Sequence, residues 1–419
     1  MRTRRFLFWM VLAGLALRLA VLVWLYRGPQ YAILAQFAFP SEMANVARAI
    51  ASGEGLSSPF GAPTGPTALV APVYPYLLAG VFRILGVLTM RSAVAILTLN
   101  SLFSALTCIP IFFLARRAFG GAASYAAAAA WMCFPYALFV PVNWLWETSL
   151  ATLLLTVLVL LAMHLENSPS LRGWLGFGAL WGLAALTSPV ILAVLPLLAG
   201  WLCYRLRRKG TSWVGPAAAS ALVLMVCVAP WFVRNDRTFG RFVPFRSGFP
   251  LELRVGNSPE TDVQWRSWLH PRESLGELHK YERLGEMAYM AEKRREALDF
   301  IAAHPGIFAW LTLKRILYVW TGVWSLSPRY LLAQPLDAVS IPISTVLTLL
   351  ALAGLRRAFR AGNPAAWPLA LTIFAVPLVY YITHADLRYR HPMDPFLLIL
   401  ASYAVVDYSQ RRGAPVRAY

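Results

Sequence analysis

Apolar residues in this chain fall into long blocks rather than alternating with polar ones. The first block, 6–26, follows Met1-Arg-Thr-Arg-Arg, and further blocks run at approximately 93–115, 121–141, 148–164, 171–187, 188–204, 214–233, 338–355, 366–383 and 393–409. Roughly 17–25 apolar residues are what a helix needs to cross a bilayer, the shorter runs with tilt or local thinning. Lipid offers the backbone no partners, so such blocks must form helices that satisfy their own hydrogen bonds. Two more runs, 70–86 and 306–324, carry charge inside them: Arg83 in one, Lys314 and Arg315 in the other. The pattern predicts an all-α polytopic membrane protein with about ten spans, or about 10–12 if these two also cross. No clear small-residue cleavage site follows 6–26, so that block reads as a retained signal-anchor.

Loop charge decides how the two charged runs lie. If both rest on the outer surface, every basic cluster lands in the cytoplasm: Arg2/Arg4/Arg5, Arg116/Arg117, Arg172, Arg205/Arg207/Arg208/Lys209, Arg356/Arg357/Arg360 and Arg411/Arg412. If 70–86 spanned alone, every cluster after the first would flip outside. If both spanned, the clusters between Arg116 and Lys209 would be misplaced. The expectation is therefore two interfacial helices, both termini cytoplasmic, and a multi-pass protein of the inner (plasma) membrane. Two external segments follow, 27–92 and 234–337, the only places with room for a site. Within the second, 273–303 reads as one charged amphipathic surface helix leading into His304-Pro305. No tandem repeat or soluble domain interrupts the chain, and 1–419 is taken as one transmembrane domain.

Composition agrees. Hydrophobic residues make up 58% of 419 positions, which suits lipid as solvent. The net charge of +19 would suggest nucleic acid in a soluble protein, but the arginines sit in short clusters between apolar blocks and nucleic-acid binding is set aside. The cysteines Cys108, Cys133, Cys203 and Cys227 lie inside apolar runs without metal-ligand spacing and read as small buried hydrophobes.

Polar residues collect where the topology is external. Pro40-Ser41-Glu42 opens a helical pattern that breaks at Gly53-Glu54-Gly55, so Glu42 stands at a helix N-terminus. Helix-dipole complementation explains an acid there as readily as catalysis does. Glu147 follows Trp144 and Trp146 between the third and fourth spans, on the same face. Its bland reading is again a helix-start acid beside an aromatic belt. Paired carboxylates at a membrane surface suit general-base chemistry on a hydroxyl. Cations come from the segment 234–246, with Arg241 and Arg246, and from 384–392, with Arg388 and Arg390. Arginines outside run against the positive-inside trend, and an Arg and Tyr cluster can hold a phosphate through charge-assisted bonds. Headgroup snorkelling explains one such residue more easily than two clusters. Tyr74 and Tyr76 could reach the same region, although aromatic anchoring accounts for either alone. No nucleotide-binding glycine loop, nucleophile elbow or His-Glu-x-x-His occurs.

Several stretches resemble a known family. The order of a single span, an external acid opening a short helix, Ala-Ser-Gly-Glu-Gly-Leu at 51–56 and Pro-Val-Tyr-Pro-Tyr-Leu-Leu-Ala-Gly-Val-Phe-Arg-Ile-Leu-Gly at 72–86 is similar to the GT-C class of membrane glycosyltransferases. Leu-Ala-Arg-Arg-Ala-Phe-Gly at 114–120, Arg-Asn-Asp-Arg-Thr-Phe-Gly-Arg-Phe-Val-Pro at 234–244 and Arg-Tyr-Arg-His-Pro at 388–392 add to it. Within the class the chain resembles bacterial relatives of the protein O-mannosyltransferases and of the lipid A aminoarabinose transferases. The resemblance implies a GT-C-like fold and an inverting transfer of a hexosyl or pentosyl group, outside the cytoplasm, from a polyprenyl-phosphate (undecaprenyl-phosphate) donor to a lipid, glycan or protein hydroxyl. It places the family acids at Glu42 and Glu147, where relatives generally carry Asp. The basic residue that lipid A relatives place near the start of the first interfacial helix has no counterpart, since Ala71-Pro72-Val73-Tyr74 offers only Tyr74.

Donor phosphate is then expected on Arg241, Arg246, Arg388, Arg390 and Tyr74, or on a bound divalent cation. No cofactor or resident metal is expected, and membrane lipids surround the protein. The rival reading is a lipid-phosphate or polysaccharide transporter, which would place functional charge at the midplane in broken helices. Arg18 and His164 are the visible charges inside spans.

Overall fold

A computed structural model describes residues 2–27, 41–261, 267–324 and 335–413. Parts of both predicted external segments, at 28–40, 262–266 and 325–334, lie outside the described residues. Among the described residues the fold is helical, with one isolated bridge between Ser57 and Pro66. Helix α1 (Arg2–Leu25) leads to α2 (Glu42–Ala51) and the apolar α3 (Val73–Leu85); α4 (Met90–Leu106) and α5 (Cys108–Phe119) then follow one another. The chain returns through α6 (Gly121–Cys133) and α7 (Pro135–Asn143), then α8 (Thr148–Asn167), α9 (Leu171–Thr187), α10 (Leu195–Arg208) and α11 (Val214–Phe239). An outer layer follows: α12 (Phe249–Gly256), α13 (Leu275–Leu284), α14 (Glu286–Ala303) and α15 (Pro305–Thr321). The chain closes with α16 (Pro335–Arg360), α17 (Ala366–Ala375), α18 (Leu378–Ile382), α19 (Leu387–Arg390) and α20 (Asp394–Gly413).

Among the described residues six helices are long and apolar enough to cross a membrane: Thr3–Leu25, Met90–Phe119, Thr148–Asn167, Pro189–Arg208, Val214–Phe239 and Val339–Arg360. The pair α6 and α7 makes a seventh if it counts as one span, bent by 43° where Pro135 follows an extended Phe134. Proline there biases the preceding residue away from helical geometry. The predicted runs at 171–187, 366–383 and 393–409 are also helical but fall short in length or apolarity. Helix α20 is buried against its neighbours over almost its whole first half, so it need not be as apolar as a lipid-facing helix. The charged stretch at 273–303 forms two helices rather than one, α13 and α14, broken at Gly285, whose φ of +73° suits glycine. Cys133 is exposed at the α6–α7 bend instead of buried.

Contacts place the basic clusters at one end of the bundle. Phe6 packs on Phe112 and Tyr125, which puts the arginines that begin α1 near the end of α5. Arg205 pairs with Glu166 at 2.7 Å, joining the C-termini of α8 and α10. Asn363 donates to the Ala118 carbonyl at 2.7 Å, and Arg357 pairs with Asp407 at 3.1 Å beside Arg411. At the opposite end, Tyr26 donates to the Val142 carbonyl and Asn100 to that of Trp144. Helix α3 begins at this second end, where Tyr74 donates to Asn100 at 3.0 Å, and runs into α4 there. Its 13 residues reach only about 20 Å, short of a hydrocarbon core. The last turn of α15 and Val323 just beyond it bond to Ser340, Thr345 and Thr348 of α16, away from that helix's terminal arginines.

Small residues let helices close on one another. Gly178 and Gly182 on α9 form a Gly-x-x-x-Gly stripe against α11: a Cβ on Gly178 would lie 2.1 Å from the Ser220 carbonyl oxygen, and one on Gly182 would lie 2.4 Å from the Cys227 Cβ. Arg18 is fully buried between α1 and α4, donating to Ser104 at 3.0 Å and to the Gly14 carbonyl at 2.9 Å. Gly178→Ala must push α9 from α11 and is expected to cost about 1–3 kcal/mol. Gly176→Ala, with nothing within 4 Å, should cost nothing measurable. Thermal unfolding of both in detergent checks this, and equal midpoints would contradict the packing account.

Candidate active site

The end of the bundle opposite the basic clusters holds most of the remaining buried charge. Ser41 caps α2 as the sequence predicts: its Oγ accepts from the Ala44 N–H at 3.1 Å with extended backbone geometry. Glu42 is then the first residue of the helix, and it is buried. The Nε2 of His270 lies 3.8 Å from its Oε1, and Arg272 Nη1 lies 3.9 Å from its Oε2, which makes no hydrogen bond.

Glu147 occupies the N-cap position of α8 and is also buried, with an Oε2 that makes no hydrogen bond. Its loop is fixed from below by the relay in which Tyr74 donates to Asn100 and Asn100 to the Trp144 carbonyl. Tyr74 is thus engaged in supporting the loop. Above, the Arg388 guanidinium lies over the Trp146 ring, 4.3 Å from its centroid. Desolvation works against the charge of Arg388, but Tyr389, Asp386 and Glu147 more than compensate and hold it above the ordinary arginine range.

Three further groups, which the sequence reading did not select, complete the cluster. Glu252, on α12, feels Arg246, Glu42 and Arg388, and burial raises its carboxyl to about 7 despite both arginines. His384 stands with Nδ1 3.6 Å from Glu252 and with Nε2 2.9 Å from the Tyr389 hydroxyl. Burial, with Arg315, Arg388 and His270 nearby, lowers its pKa to about 3, so the ring is neutral. His270 is likewise lowered, by burial first, although Glu42 opposes the shift. His384 and Tyr389 belong to the same short segment that drew attention for its arginines. Glu252, in Phe249-Pro-Leu-Glu-Leu-Arg, carries no sequence signal beyond an acid on an apolar helix.

The four predicted arginines separate. Arg246 donates to the Leu69 carbonyl at 2.8 Å and lies close enough to Glu252 to lower its pKa. Arg388 joins Glu147, while Arg241 is exposed in the turn after α11. Arg390 points into the bundle, where it pairs with Asp394 at 2.8 Å and donates to the Val319 and Trp320 carbonyls at 3.1 Å. The structure therefore brings Glu42, Glu147, Arg246 and Arg388 into one neighbourhood, with Tyr74 beneath it, and leaves Arg241 and Arg390 elsewhere. Among the described residues no three His, Cys, Asp or Glu side chains converge closely enough to hold a metal ion.

The pH consequence is specific. A carboxyl raised from 4.5 to about 7 costs nothing below 4.5, where folded and unfolded chains both bind the proton, and destabilises increasingly as pH rises to 7. Glu252→Gln mimics the protonated form. The variant should match the parent near pH 4.5 and unfold at a higher temperature at pH 8; a constant difference across that range would contradict the shift.

The comparisons with known proteins agree with this architecture. A family profile described as dolichyl-phosphate-mannose-protein mannosyltransferase matches residues 69–233, less than half of the chain. No curated protein matches the sequence. Among solved structures, ArnT from Cupriavidus metallidurans bound to undecaprenyl phosphate superposes with a TM-score of 0.52 at 16% identity, covering 94% of this chain and 60% of ArnT. The apo form gives the same score and identity over 94% of this chain and 61% of ArnT. The oligosaccharyltransferase of Archaeoglobus fulgidus in the apo form gives 0.52 at 11% identity, covering 96% of this chain and 51% of the larger protein. The chain thus spans about 60% of the length of the ArnT structures. Its fold is that of the GT-C class of membrane glycosyltransferases.

Proposed function

We propose that this protein is an inverting glycosyltransferase that moves a hexosyl or pentosyl group from a polyprenyl-phosphate donor to a hydroxyl of a lipid, glycan or protein acceptor. The observation that carries the reading is the meeting of two buried carboxylates, Glu42 and Glu147, with Arg246 and Arg388 at the bundle end away from the basic clusters. In the proposed reaction Glu42 takes the acceptor proton as the acceptor oxygen bonds to the anomeric carbon. The bond from that carbon to the phosphate oxygen breaks, and the lipid phosphate leaves with the electron pair. Arg246 and Arg388 stabilise the growing phosphate charge. Glu147 orients the acceptor and Arg388, and Tyr74 supports the Glu147 loop. No resident metal is invoked, since the arginines supply the countercharge.

Charge asymmetry supports the orientation. Positive clusters at one end of the bundle favour cytoplasmic termini, in the inner (plasma) membrane, with the site outside. Nucleotide sugars are confined to the cytoplasm, which favours a donor carried on lipid.

Purified protein in liposomes, offered radiolabelled polyprenyl-phosphate sugars, should release polyprenyl phosphate with at least one donor. Glu42→Gln should lower kcat by roughly 10²–10⁴-fold, the usual contribution of a general base, without loss of folding. Arg388→Lys should lower kcat more than it raises KM, because a lysine loses the planar fork over Trp146 that meets the charge growing in the transition state. Turnover by Glu42→Gln within about tenfold of the parent would sink the base assignment, and silence with every donor would sink the reaction.

A further inference from the structure

A second polar feature lies at the opposite end of the molecule, where α5 and α8 leave a groove of about 490 Å³ between their last turns. Its walls are Phe113, Arg116 and Arg117 from α5, and Val157, Leu160, Leu161 and His164 from α8. These positions recur at three- and four-residue intervals, so each set is one stripe of its helix. The floor is aliphatic and aromatic; the rim carries two arginines and a histidine. All three rim residues are exposed, and among the described residues none has an ion-pair partner. The adjacent cluster differs, because Arg205 and Lys209 are engaged by Glu166.

We propose that this groove is a binding site for an anionic phospholipid of the leaflet in which the basic clusters lie. The phosphate sits between Arg116 and Arg117 with His164 opposite, and the upper acyl chain lies along Val157, Leu160 and Leu161. Three features select that occupant. The floor is apolar, the α5 side of the rim carries two positive charges, and the groove is open, with Phe113, Arg116, Arg117 and His164 all exposed. A soluble anion would meet the rim but leave the apolar floor unfilled, and a zwitterionic lipid would bring a positive headgroup to a positive rim. The site is separate from the proposed glycosyl transfer and does not depend on it.

Native mass spectrometry of the full chain in detergent, equilibrated with equal amounts of phosphatidylglycerol and phosphatidylcholine, tests the proposal. The parent should retain phosphatidylglycerol preferentially. Arg116→Gln/Arg117→Gln should lower that preference by about 25-fold, near fivefold for each arginine at a charged membrane surface. Arg207→Gln/Arg208→Gln removes the same charge from exposed positions on α10 outside the groove and should leave the preference intact. Equal retention of the two lipids by the parent would overturn the site, whatever the variants do. An equal loss in the α10 variant would reduce the effect to general surface charge and overturn it as well. Displacement of the lipid by millimolar inorganic phosphate would show that the anion alone is recognised, against the acyl-chain part of the proposal.

Discussion

The carboxylate of Glu286 holds the outer layer on the bundle. It is buried at the first turn of α14 and accepts from four donors: the Thr67 hydroxyl, the Ala68 N–H at 2.8 Å, the Ser247 hydroxyl at 2.6 Å and the Tyr281 hydroxyl at 2.7 Å. A buried charge without partners would cost several kcal/mol, whereas one that satisfies four donors fixes their positions. The donors come from both external segments. Arg234 reinforces the same strap through the Thr67 and Leu56 carbonyls, and Arg246 through that of Leu69. The loop carrying Arg246 is thereby located against the chain that follows α2, and the cationic side of the site depends on this join.

Beneath that layer the bundle separates two kinds of charge. At the basic end the arginines that close α5, α10, α16 and α20 lie at helix C-termini, where they complement the helix dipole, whereas those that begin α1 and α9 do not; all are placed to reach headgroups. Beyond the exposed ones such as Arg241, arginines toward the other end are held over aromatic rings or against carbonyls and carboxylates: Arg388 on Trp146, Arg246 on Leu69, Arg390 on Asp394. The second arrangement needs defined tertiary structure, and the close helix contacts at Gly178 and Gly182 help to provide it. Arg18, inside α1, donates to a hydroxyl and a carbonyl through two of its nitrogens, while its Nη2 has no partner within the protein.

Much of this was readable from the chain because lipid is a strict solvent. Block length and loop charge gave the helices and the two ends of the bundle, and Ser41 with the glycines at 53 and 55 marked α2. What failed to show was side-chain direction over short distances. Arg388 and Arg390 read as one cluster, yet two residues along a helix are about 200° apart in rotation, so one faces Trp146 and the other enters the bundle. The same limit hid Glu252 and His384, whose importance lies in burial and in neighbours distant along the chain. The break at Gly285 was visible as a glycine but not as a helix boundary, because the flanking charge pattern suits one helix as well as two.

Unmatched buried atoms carry the strongest physical case for chemistry at the outer end. Oε2 of Glu42, Glu147 and Glu252, together with Nδ1 of His384, are inaccessible and make no hydrogen bond within the protein. Native folds leave few such atoms, and each is a place where water or a ligand completes the structure. Arg246 and Arg388 lie close enough to Glu252 and Glu147 to interact with them, and the proposed donor and acceptor would bring an anion and hydroxyls to these groups. A phosphate-linked sugar beside an acceptor hydroxyl has both. Another buried set, His391, Asp394 and Ser344, also has unmatched atoms, as does Nη2 of Arg390, whose other nitrogens are bound to Asp394 and two carbonyls. That set is one that internal water could satisfy. Two arginines beside unpaired carboxylate oxygens are what distinguish the outer cluster from this inner set.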